Sequence, residues 1–386
     1  MFLKSIINNN PELVQFGFKA HQMGLINPDT YLLDLDCIVE NGKKQIEEAK
    51  KYNVQLYFML KQIGRNPYVA QELMKVGFSG AVAVDFDEAL IMKKNNIKNG
   101  HIGHLVQIPK NVLKELIEAN PEIITVYSLE KISEINEVAR ELNMVQPVMI
   151  RIMDSASKVY SGQVGGFELS EIENVAKFIE KCKHVKLGGI TVFPALLFDS
   201  ESCDILPTEN AEVLLKGKQI LEKMGYTNLQ INVPSCTCVH SIPLISKLSG
   251  THGEPGHGLT GTTPLHKHTN QPEKIGYVYI SEVSHNYKEK SYCYGGGNYR
   301  RGHLESAIVG TSIQDSKFVK TAAPDMDSID YHFELSENTK VGDTVVMCFR
   351  TQVFTTRSKV AVIKGLSKGK PEIVGIYSSL GVLIEK

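Results

Sequence analysis

The chain lacks the features that mark membrane, secreted and nucleic-acid-binding proteins. No apolar run reaches the ~18 residues that a membrane span requires. The N-terminal segment lacks the long apolar core and small-residue cleavage site of a signal peptide. The 42 basic residues nearly balance the 43 acidic ones, and no basic stripe is present. We therefore expect a protein that binds neither a membrane nor nucleic acid.

The cysteines also lack a recognisable pattern. There are seven, an odd number without the spacing of a disulfide framework, which is typical of a reducing cytoplasm. Cys236, Cys238 and His240, with His252 and His257 further along, could be metal ligands. However, Cys-x-Cys-x-His lacks the usual two to four residues between cysteines, and buried cysteines are the commoner case. The sequence predicts a cytoplasmic protein without a metal site.

What the chain does contain is a regular alternation of two patterns between residues 31 and about 265. Amphipathic stretches of helical period lie between most of the short apolar, strand-like runs. The strand-like runs are 31–35, 54–60, 80–84, 103–106, 123–127, 148–152, 188–193 and 229–233, and the helical stretches are 37–52, 67–76, 112–119, 129–142, 169–182 and 210–224. About eight strand–helix units of this total length predict a TIM-type (β/α)8 barrel over residues 31–267. A doubly wound sheet is the alternative, but no Gly-x-Gly-x-x-Gly follows the first strand.

The pattern changes on either side of the predicted barrel. After about residue 268, runs such as 274–283, 344–349 and 359–364 alternate or are β-branched, and Gly, Asn, Asp and Ser separate them. Residues 268–386 are therefore predicted to form an antiparallel β domain. Residues 1–30 form an N-terminal segment in which 12–23 is predicted to be a helix.

Lys61 is the most informative residue of the predicted barrel. It ends the apolar run 54–60, and a turn rich in Gly, Asn and Pro follows at once. The amine of a lysine at the carboxyl tip of a buried strand is desolvated, which lowers its pKa. A neutral amine can form a Schiff base with an aldehyde such as pyridoxal phosphate (PLP), and this tip is where barrel active sites lie. The alternative is a lysine that simply reaches into water.

Two short motifs resemble a known family. The run Met59-Leu-Lys-Gln-Ile-Gly-Arg-Asn-Pro67, with Glu254-Pro-Gly-His-Gly-Leu-Thr-Gly261, is similar to the YhfX family of the alanine racemase/ornithine decarboxylase group (fold type III). The resemblance covers nearly the whole chain. It implies a PLP-binding barrel followed by a β domain, with Lys61 as the PLP-binding lysine.

Glu254 distinguishes this chain from the alanine racemases of the group. The decarboxylases carry Glu-Pro-Gly-Arg at this place, with the glutamate against the pyridine nitrogen, whereas the racemases carry an arginine instead of the glutamate. A carboxylate keeps the ring nitrogen protonated and makes the ring a stronger electron acceptor. His257 replaces the decarboxylases' phosphate-binding arginine, and Gly256 leaves a backbone N–H accessible to phosphate. An exposed Gly/Pro turn is the alternative reading of this segment.

The resemblance implies further cofactor contacts. Ser235, and after it Thr237, match the phosphate-binding Asn-Ser segment of the racemases, although an ordinary helix cap would have the same composition. Arg151 ends a predicted barrel strand, and the loop that follows it contains Gln163. The racemases have an arginine near Gln163 that hydrogen-bonds the cofactor's ring oxygen, and Gln163 could donate the same bond without the charge.

The predicted β domain contains residues that imply a shared active site. Tyr294-Gly-Gly-Gly resembles the racemase segment whose tyrosine crosses into the partner subunit as the second catalytic base, although a packed Gly-rich hairpin is the alternative. Met326 lies in a Met-Asp segment similar to the one that meets the substrate carboxylate. Arg350 and Arg357 could also meet a carboxylate, unless they are ordinary surface arginines. A site that receives Tyr294 in trans requires a homodimer.

Three functions are compatible with these residues. The first is a PLP-dependent amino-acid racemase or epimerase. In this reaction Lys61 or Tyr294 removes the Cα proton, and the other residue returns a proton on the opposite face. The second is a PLP-dependent decarboxylase or lyase, which Glu254 favours and the absence of a Cys-Glu-Ser-Gly-Asp-type run disfavours. The third is a PLP-holding protein without catalysis. The sequence does not identify the side chain of the amino-acid substrate.

Overall fold

The computed structural model describes residues 1–325 and 327–386 of the chain. The helices are α1 (Leu3–Asn9), α2 (Pro11–Gln22), α3 (Leu35–Lys51), α4 (Pro67–Val76), α5 (Phe86–Lys94), α6 (Lys110–Glu118), α7 (Leu129–Glu141), α8 (Ile172–Lys181), α9 (Glu209–Lys223), α10 (Ile242–Lys247) and α11 (Leu265–His268). Short 3-10 turns are Lys61–Ile63, Leu169–Glu171, Val353–Thr355 and Leu366–Lys368. Among the described residues, no helix combines the length and apolar character needed to cross a bilayer.

The strands run from Thr30 to the C-terminus. They are β1 (Thr30–Asp34), β2 (Gln55–Phe58), β3 (Gly80–Val82), β4 (Asn99–Ile102), β5 (Ile123–Val126), β6 (Gln146–Met153), β7 (Phe167–Glu168), β8 (Val185–Thr191), β9 (Leu196–Asp199), β10 (Asp204–Pro207), β11 (Gln230–Asn232), β12 (His252–Gly253), β13 (Tyr277–Tyr287), β14 (Lys290–Tyr294), β15 (Ser306–Gly310), β16 (Lys317–Ala322), β17 (His332–Leu335), β18 (Thr344–Met347), β19 (Lys359–Lys364), β20 (Glu372–Ser378) and β21 (Leu383–Glu385). The chain divides into two compact units, the barrel unit (Lys43–Leu60 and Ala70–Gly256) and the sheet unit (Met1–Gly42, Lys61–Val69 and His257–Lys386).

The barrel unit is a closed parallel barrel. Its strands pair in the order β2, β3, β4, β5, β6, β8, β11 and β12, and β12 pairs back to β2. Each of these pairings is parallel. The predicted TIM-type fold is therefore confirmed. In such a barrel the carboxyl ends of the strands meet at one face, where active sites are built.

Local sequence explains why these elements form. β5 is Ile-Ile-Thr-Val, a β-branched run that is buried at every position. α8 buries a single stripe of Ile172, Val175, Ala176 and Ile179, which has helical spacing. Inside the barrel Gly100 gives room to the ring of Tyr57, because a Cβ atom on Gly100 would lie 2.3 Å from that ring.

The sheet unit contains a ten-stranded sheet in the order β14-β17-β16-β15-β18-β13-β1-β19-β20-β21. The pairings are antiparallel, apart from the parallel pair of β1 with β19. The N-terminal helices share a core with this sheet, to which α2 contributes Leu13 and Phe18 and β13 contributes Val278 and Ile280. The predicted β domain and the helix predicted over residues 12–23 are both present, the latter as α2.

One predicted barrel strand belongs to the other sheet. The run 31–35 is not the first barrel strand, because β1 pairs with β13 and β19 in the large sheet. By their contacts, residues 61–69 and 257–267 group with the sheet unit. Every residue of β1 is buried. A strand buried on both faces has the same pattern in either sheet, so periodicity could not assign it.

The strand predicted over 103–106 was displaced as well. The actual strand is β4 (Asn99–Ile102), which contains Asn99, Gly100 and His101 and therefore looks like a loop in the sequence. The eighth barrel strand, β12, consists of His252 and Gly253 alone. Both strands contain polar residues in place of apolar ones, at positions where the barrel has polar groups in its interior.

Candidate functional site

Glu254 lies at the centre of a buried polar cluster in the barrel unit. It directly follows β12, and its side chain is 1% exposed. One carboxylate oxygen, Oε1, accepts hydrogen bonds from His101 Nδ1 at 2.6 Å and from Asn232 Nδ2 at 3.0 Å. The backbone N–H of Glu254 donates to Thr237 Oγ1 at 3.1 Å. Two side chains thus hold one carboxylate oxygen, and a third holds the backbone of the same residue.

The partners of Glu254 are held in place by neighbouring strands. His101 belongs to β4, and its other ring nitrogen lies 2.5 Å from Thr125 Oγ1 of β5. Because a carboxylate only accepts hydrogen bonds, the Nδ1 atom of His101 must carry a proton. Asn232 ends β11 and also donates to Thr191 Oγ1 at 3.1 Å. Side chains from four strands thus orient one carboxylate.

The cluster keeps Glu254 ionised. Burial by itself disfavours the charge, but attraction to His104, followed by the hydrogen bond and charge of His101, lowers the pKa of Glu254 to about 2. His104 Nε2 lies 3.7 Å from the second oxygen, Oε2, which is an ion-pair distance and not a hydrogen bond. Near neutral pH this position therefore carries a full negative charge inside the barrel.

The second carboxylate oxygen of Glu254 has an unused acceptor site. Oε2 is buried and accepts no hydrogen bond from any residue of the described chain. Leaving a charged acceptor buried and unsatisfied costs about 1–3 kcal/mol or more, so such an atom is a natural contact for a ligand donor. The ligand atoms of His101, His104 and Glu254 lie within 4.8 Å of one another, so the same residues could alternatively hold a divalent metal ion.

The loop after β11 contains the predicted phosphate-binding residues. Ser235 and Cys236 both have left-handed backbone conformations, with φ of 85° and 50°. Such conformations cost on the order of 1–3 kcal/mol per non-glycine residue and concentrate at functional sites. Thr237 is buried, and its hydroxyl oxygen contacts the backbone of Glu254. Gly256, also buried, is the last residue of the barrel unit.

Arg151 and Gln163 lie together on another part of the barrel unit. Arg151 is buried, and it donates to Tyr127 Oη at 2.7 Å and to the backbone carbonyl of Gln163 at 2.8 Å. Two glycines allow this loop to approach, because a Cβ atom on Gly165 would lie 2.7 Å from the Tyr127 ring and one on Gly166 would lie 2.6 Å from the Arg151 carbonyl. The guanidinium therefore fixes the loop that contains Gln163.

Lys61 begins a tight turn in the sheet unit. It is the first residue of the 3-10 turn Lys61–Ile63, two residues after Met59, whose N–H bonds to Pro255 O within the barrel unit. Gly64 has a φ of 69° and no room for a side chain, since a Cβ atom would lie 3.0 Å from Val360. Lys61 is half-buried and close enough to His257 for its charge to act on that ring.

Tyr294 ends β14 in the sheet unit and is 41% exposed. It lines a concave surface of about 740 Å³ together with Asp29, Tyr331, His332 and Arg357. The glycines after it are required by packing. A Cβ atom on Gly296, whose φ is 126°, would lie 2.0 Å from the carboxylate of Asp29, and one on Gly297 would lie 2.4 Å from the Tyr279 ring. Met326 lies outside the described residues.

Sequence reasoning missed His101 and His104. The spacing Asn99-Gly-His101-Ile-Gly-His104 places two histidines at the end of a strand, but the strand was predicted four residues too late. A histidine at the carboxyl end of a barrel strand is the signal that could have identified them. With this strand displaced, Glu254 was predicted without its partners.

Several solved structures share the fold of this chain. The chain superposes on D-threo-3-hydroxyaspartate dehydratase from Delftia sp. HT23 with a TM-score of 0.68 and 14% identity, covering 90% of this chain and 97% of that one. D-threonine aldolase from Filomicrobium marinum matches with a TM-score of 0.67 and 14% identity over 92% and 95% of the two chains. Alanine racemase of Clostridium difficile 630, in complex with cycloserine, gives 0.62 and 16% over 91% and 98%. The TM-scores and coverage show a shared fold, and at these identities they show the fold alone.

The family follows from the sequence comparisons. Residues 33–264 match the model of the alanine racemase N-terminal domain, and residues 278–373 match the YhfX-like C-terminal domain. The chain is 41% identical over 383 residues to "Uncharacterized protein YhfX" of Escherichia coli (strain K12), covering 99% of both. The protein therefore belongs to the YhfX-like family within the fold type III, alanine racemase-like group, and the resemblance stated from the motifs is confirmed.

Proposed function

We propose that the protein is a PLP-dependent amino-acid racemase or epimerase. The observation that supports PLP binding is Glu254, a buried and ionised carboxylate with one oxygen that accepts no hydrogen bond from the described chain, and the exposed Tyr294 is what favours racemisation. Glu254 fits a pyridine nitrogen, because a carboxylate that stays ionised favours a protonated ring and accepts its N–H. When bound, PLP supplies an electron sink that makes the Cα proton of an amino acid acidic.

The residues of the chain divide the remaining work. Lys61 binds the cofactor's aldehyde through its amine and, once the amine is released, moves a proton at Cα. His101 and Asn232 hold Oε1 of Glu254, so that Oε2 faces the ligand. Ser235, Thr237, Gly256 and His257 belong to the phosphate-binding segments. Arg151 orients the loop from which Gln163 meets the cofactor's ring oxygen.

Tyr294 is the second base in this proposal. Two-base racemisation uses a base that removes the proton from one face of Cα and an acid that returns a proton to the other face, and Lys61 and Tyr294 would share these roles. The phenol of Tyr294 is exposed on one protomer, which suits a residue that enters the site of a partner subunit. Met326 is proposed to meet the substrate carboxylate of the same shared site. The protein is accordingly proposed to be a cytoplasmic homodimer.

Subunit mixing tests the shared site. Lys61→Ala and Tyr294→Phe homodimers are expected to be inactive when prepared separately. Dissociating and reassociating an equal mixture yields hybrids with one intact site, and about a quarter of the wild-type activity is expected to return because half of random dimers are hybrids. A mixture that regains no activity, although hybrids are isolated by tag purification, would refute the trans assignment.

Hydrogen exchange at Cα tests the reaction. The purified protein, loaded with PLP, is incubated in deuterium oxide with a panel of single amino acids and followed by NMR and chiral chromatography. We expect deuterium to enter Cα together with inversion for at least one amino acid, and neither to occur in Lys61→Ala. Exchange without inversion for every amino acid would exclude racemisation. Dialysis against a chelator is the control for a metal at Glu254, and activity is expected to survive it.

A PLP-dependent lyase is the second candidate. Glu254 favours it, because a protonated ring accepts more electron density than racemisation needs, and decarboxylation or elimination can use that capacity. The shared fold with a dehydratase and an aldolase is compatible with this reaction but shows the fold alone. Release of ammonia, carbon dioxide or an aldehyde in the same amino-acid panel would favour the lyase, whereas inversion without release would favour the racemase.

A further inference from the structure

Arg350 is fixed by a neutral histidine in the sheet unit. Its Nε donates to His257 Nε2 at 3.2 Å, and its backbone N–H bonds to Gly302 O at 2.9 Å. Burial, followed by the charges of Arg350 and Lys61, holds the pKa of His257 well below its usual range. The ring is therefore neutral, with its proton on Nδ1 facing Thr262 Oγ1 at 3.3 Å and its Nε2 lone pair facing the guanidinium.

The outer edge of the Arg350 guanidinium is available for a ligand. A guanidinium has five N–H donors in a planar fork, and only Nε is used by a side chain here. The two terminal nitrogens make no hydrogen bond or ion pair with other described residues. An arginine clamped at Nε, with its two terminal nitrogens available, has the arrangement that binds a phosphate or carboxylate bidentately.

The surroundings of His257 attract anions. The positive charges that act on its ring come, in order of influence, from Arg350, Lys61, His266 and Arg301. His266 Nε2 is 3.7 Å from the carboxylate of Glu273. Arg350 has no carboxylate within ion-pair distance in the described part of the chain. The potential beside His257 therefore favours a ligand with more than one negative charge.

We propose that Arg350 binds the phosphate group of the cofactor, in place of the arginine that the decarboxylases of this group carry at the position of His257. This inference rests on the proposed function, because it requires PLP in the site. Only Pro255 and Gly256 separate Glu254 from His257 in the chain, and three peptide steps span at most about 11 Å. His257 is a positioning residue that acts through Arg350.

Cofactor affinity measured without turnover tests this assignment. The apoprotein of each variant is titrated with PLP and with pyridoxal, which lacks the phosphate, and binding is followed by absorption and intrinsic fluorescence. We expect Arg350→Met to weaken PLP on the order of 10- to 100-fold and to leave the affinity for pyridoxal unchanged. Arg350→Lys keeps the charge but loses the clamp at Nε. Its affinity for PLP is expected to lie between those of the wild type and Arg350→Met. Arg140→Met, at an exposed arginine paired with Glu137, is the matched control.

The possible outcomes are distinguishable. An Arg350→Met protein that keeps the wild-type ratio of PLP to pyridoxal affinity, but loses affinity for an amino acid, would overturn the assignment and make Arg350 a substrate residue. If the wild-type protein binds neither PLP nor pyridoxal, the proposed function itself fails. Should Arg350→Met fold poorly, the double variant His257→Arg/Arg350→His provides the second test. It places the guanidinium at position 257 and is expected to restore the preference for PLP over pyridoxal. A double variant that does not prefer PLP over pyridoxal also counts against the proposal.

Discussion

Two glutamates at opposite ends of the barrel, Glu122 and Glu254, differ in how completely their carboxylate oxygens are hydrogen-bonded. Glu122 precedes β5 at the amino end, where Oε1 accepts from Tyr57 at 2.6 Å and from Gln230 at 3.1 Å, and Oε2 accepts from Lys98 at 2.6 Å. Glu254 follows β12 at the carboxyl end, where only Oε1 is hydrogen-bonded within the described chain.

The two glutamates share a lowered pKa but differ in the acceptor sites that they leave open. Burial opposes the charge of both glutamates, and in both cases neighbours overcome it and lower the pKa. At Glu122 the neighbours include a lysine and leave neither oxygen unsatisfied, so the group closes the amino end of the barrel. At Glu254 the neighbours are histidines and an amide, and one oxygen remains for a ligand. This agrees with the rule that the carboxyl face of such barrels carries catalysis.

The largest expected effect comes from neutralising the carboxyl-end glutamate. Glu254→Gln keeps an oxygen for His101 and Asn232. It removes the negative charge that, in the proposed function, keeps the pyridine nitrogen of PLP protonated. We expect the rate of Cα–H exchange at saturating PLP to fall on the order of 100-fold, with an unfolding midpoint in urea close to that of the wild type. An unchanged exchange rate would remove Glu254 from the mechanism.

Glu122→Gln is the matched change at the amino end and should have the opposite profile. The amide cannot act as the counter-ion of Lys98, and one of its two polar atoms becomes a donor beside Gln230 and Tyr57. We expect the free energy of unfolding to fall by about 2 to 3 kcal/mol, with the exchange rate per folded protein unchanged. A loss of exchange comparable to that of Glu254→Gln would mean that both ends contribute to the reaction.

His252 makes the stability of the folded protein depend on pH. It is stacked on Tyr57 with ring centroids 5.2 Å apart, and burial, opposed in part by Glu122, lowers its pKa to about 4. Between pH 6.5 and 4 the unfolded chain binds a proton that the folded protein refuses, so stability falls as the pH is lowered. At pH 5 the loss from this residue is about 2 kcal/mol. Urea unfolding of His252→Gln at pH 7 and 5 should show a correspondingly smaller decrease.

An exposed histidine controls for this measurement. His240 pairs with Asp204 at the protein surface, and His240→Gln is expected to retain the wild-type difference in stability between pH 7 and 5. If His252→Gln shows the wild-type difference as well, the buried ring is not the source of the acid sensitivity.

The barrel and the β domain could be predicted from sequence because their elements are long and periodic. α8 and β5 show clear periods or β-branched runs, and the change of pattern near residue 268 marks the second domain. β1, β4 and β12 could not be placed. A five-residue strand buried on both faces does not reveal its partners, and strands of four and two residues that contain His101 and His252 have no apolar pattern.

The same reasoning explains the prediction of the site. Lys61 and Glu254 could be predicted as site residues because turn residues follow a strand in one case and a specific motif surrounds the other. The contacts around the predicted site residues come from distant positions, since His101 and Glu254 are 153 residues apart and Arg350 and His257 are 93 residues apart. Contacts over such separations depend on the closure of the barrel and the order of the sheet, which local patterns do not encode.

The smallest expected effect concerns the support of His101. Thr125→Val removes the hydroxyl that lies 2.5 Å from His101 Nε2 and keeps the β-branched shape of the side chain. Without this contact Glu254 alone hydrogen-bonds the His101 ring, so the ring holds the carboxylate less firmly in its orientation. We expect the exchange rate to fall about fivefold, which corresponds to roughly 1 kcal/mol. Thr125→Ser keeps the hydroxyl and should retain most of the rate. Equal losses in both variants would indicate that the packing of Thr125, and not its hydrogen bond, supports the carboxyl-end glutamate.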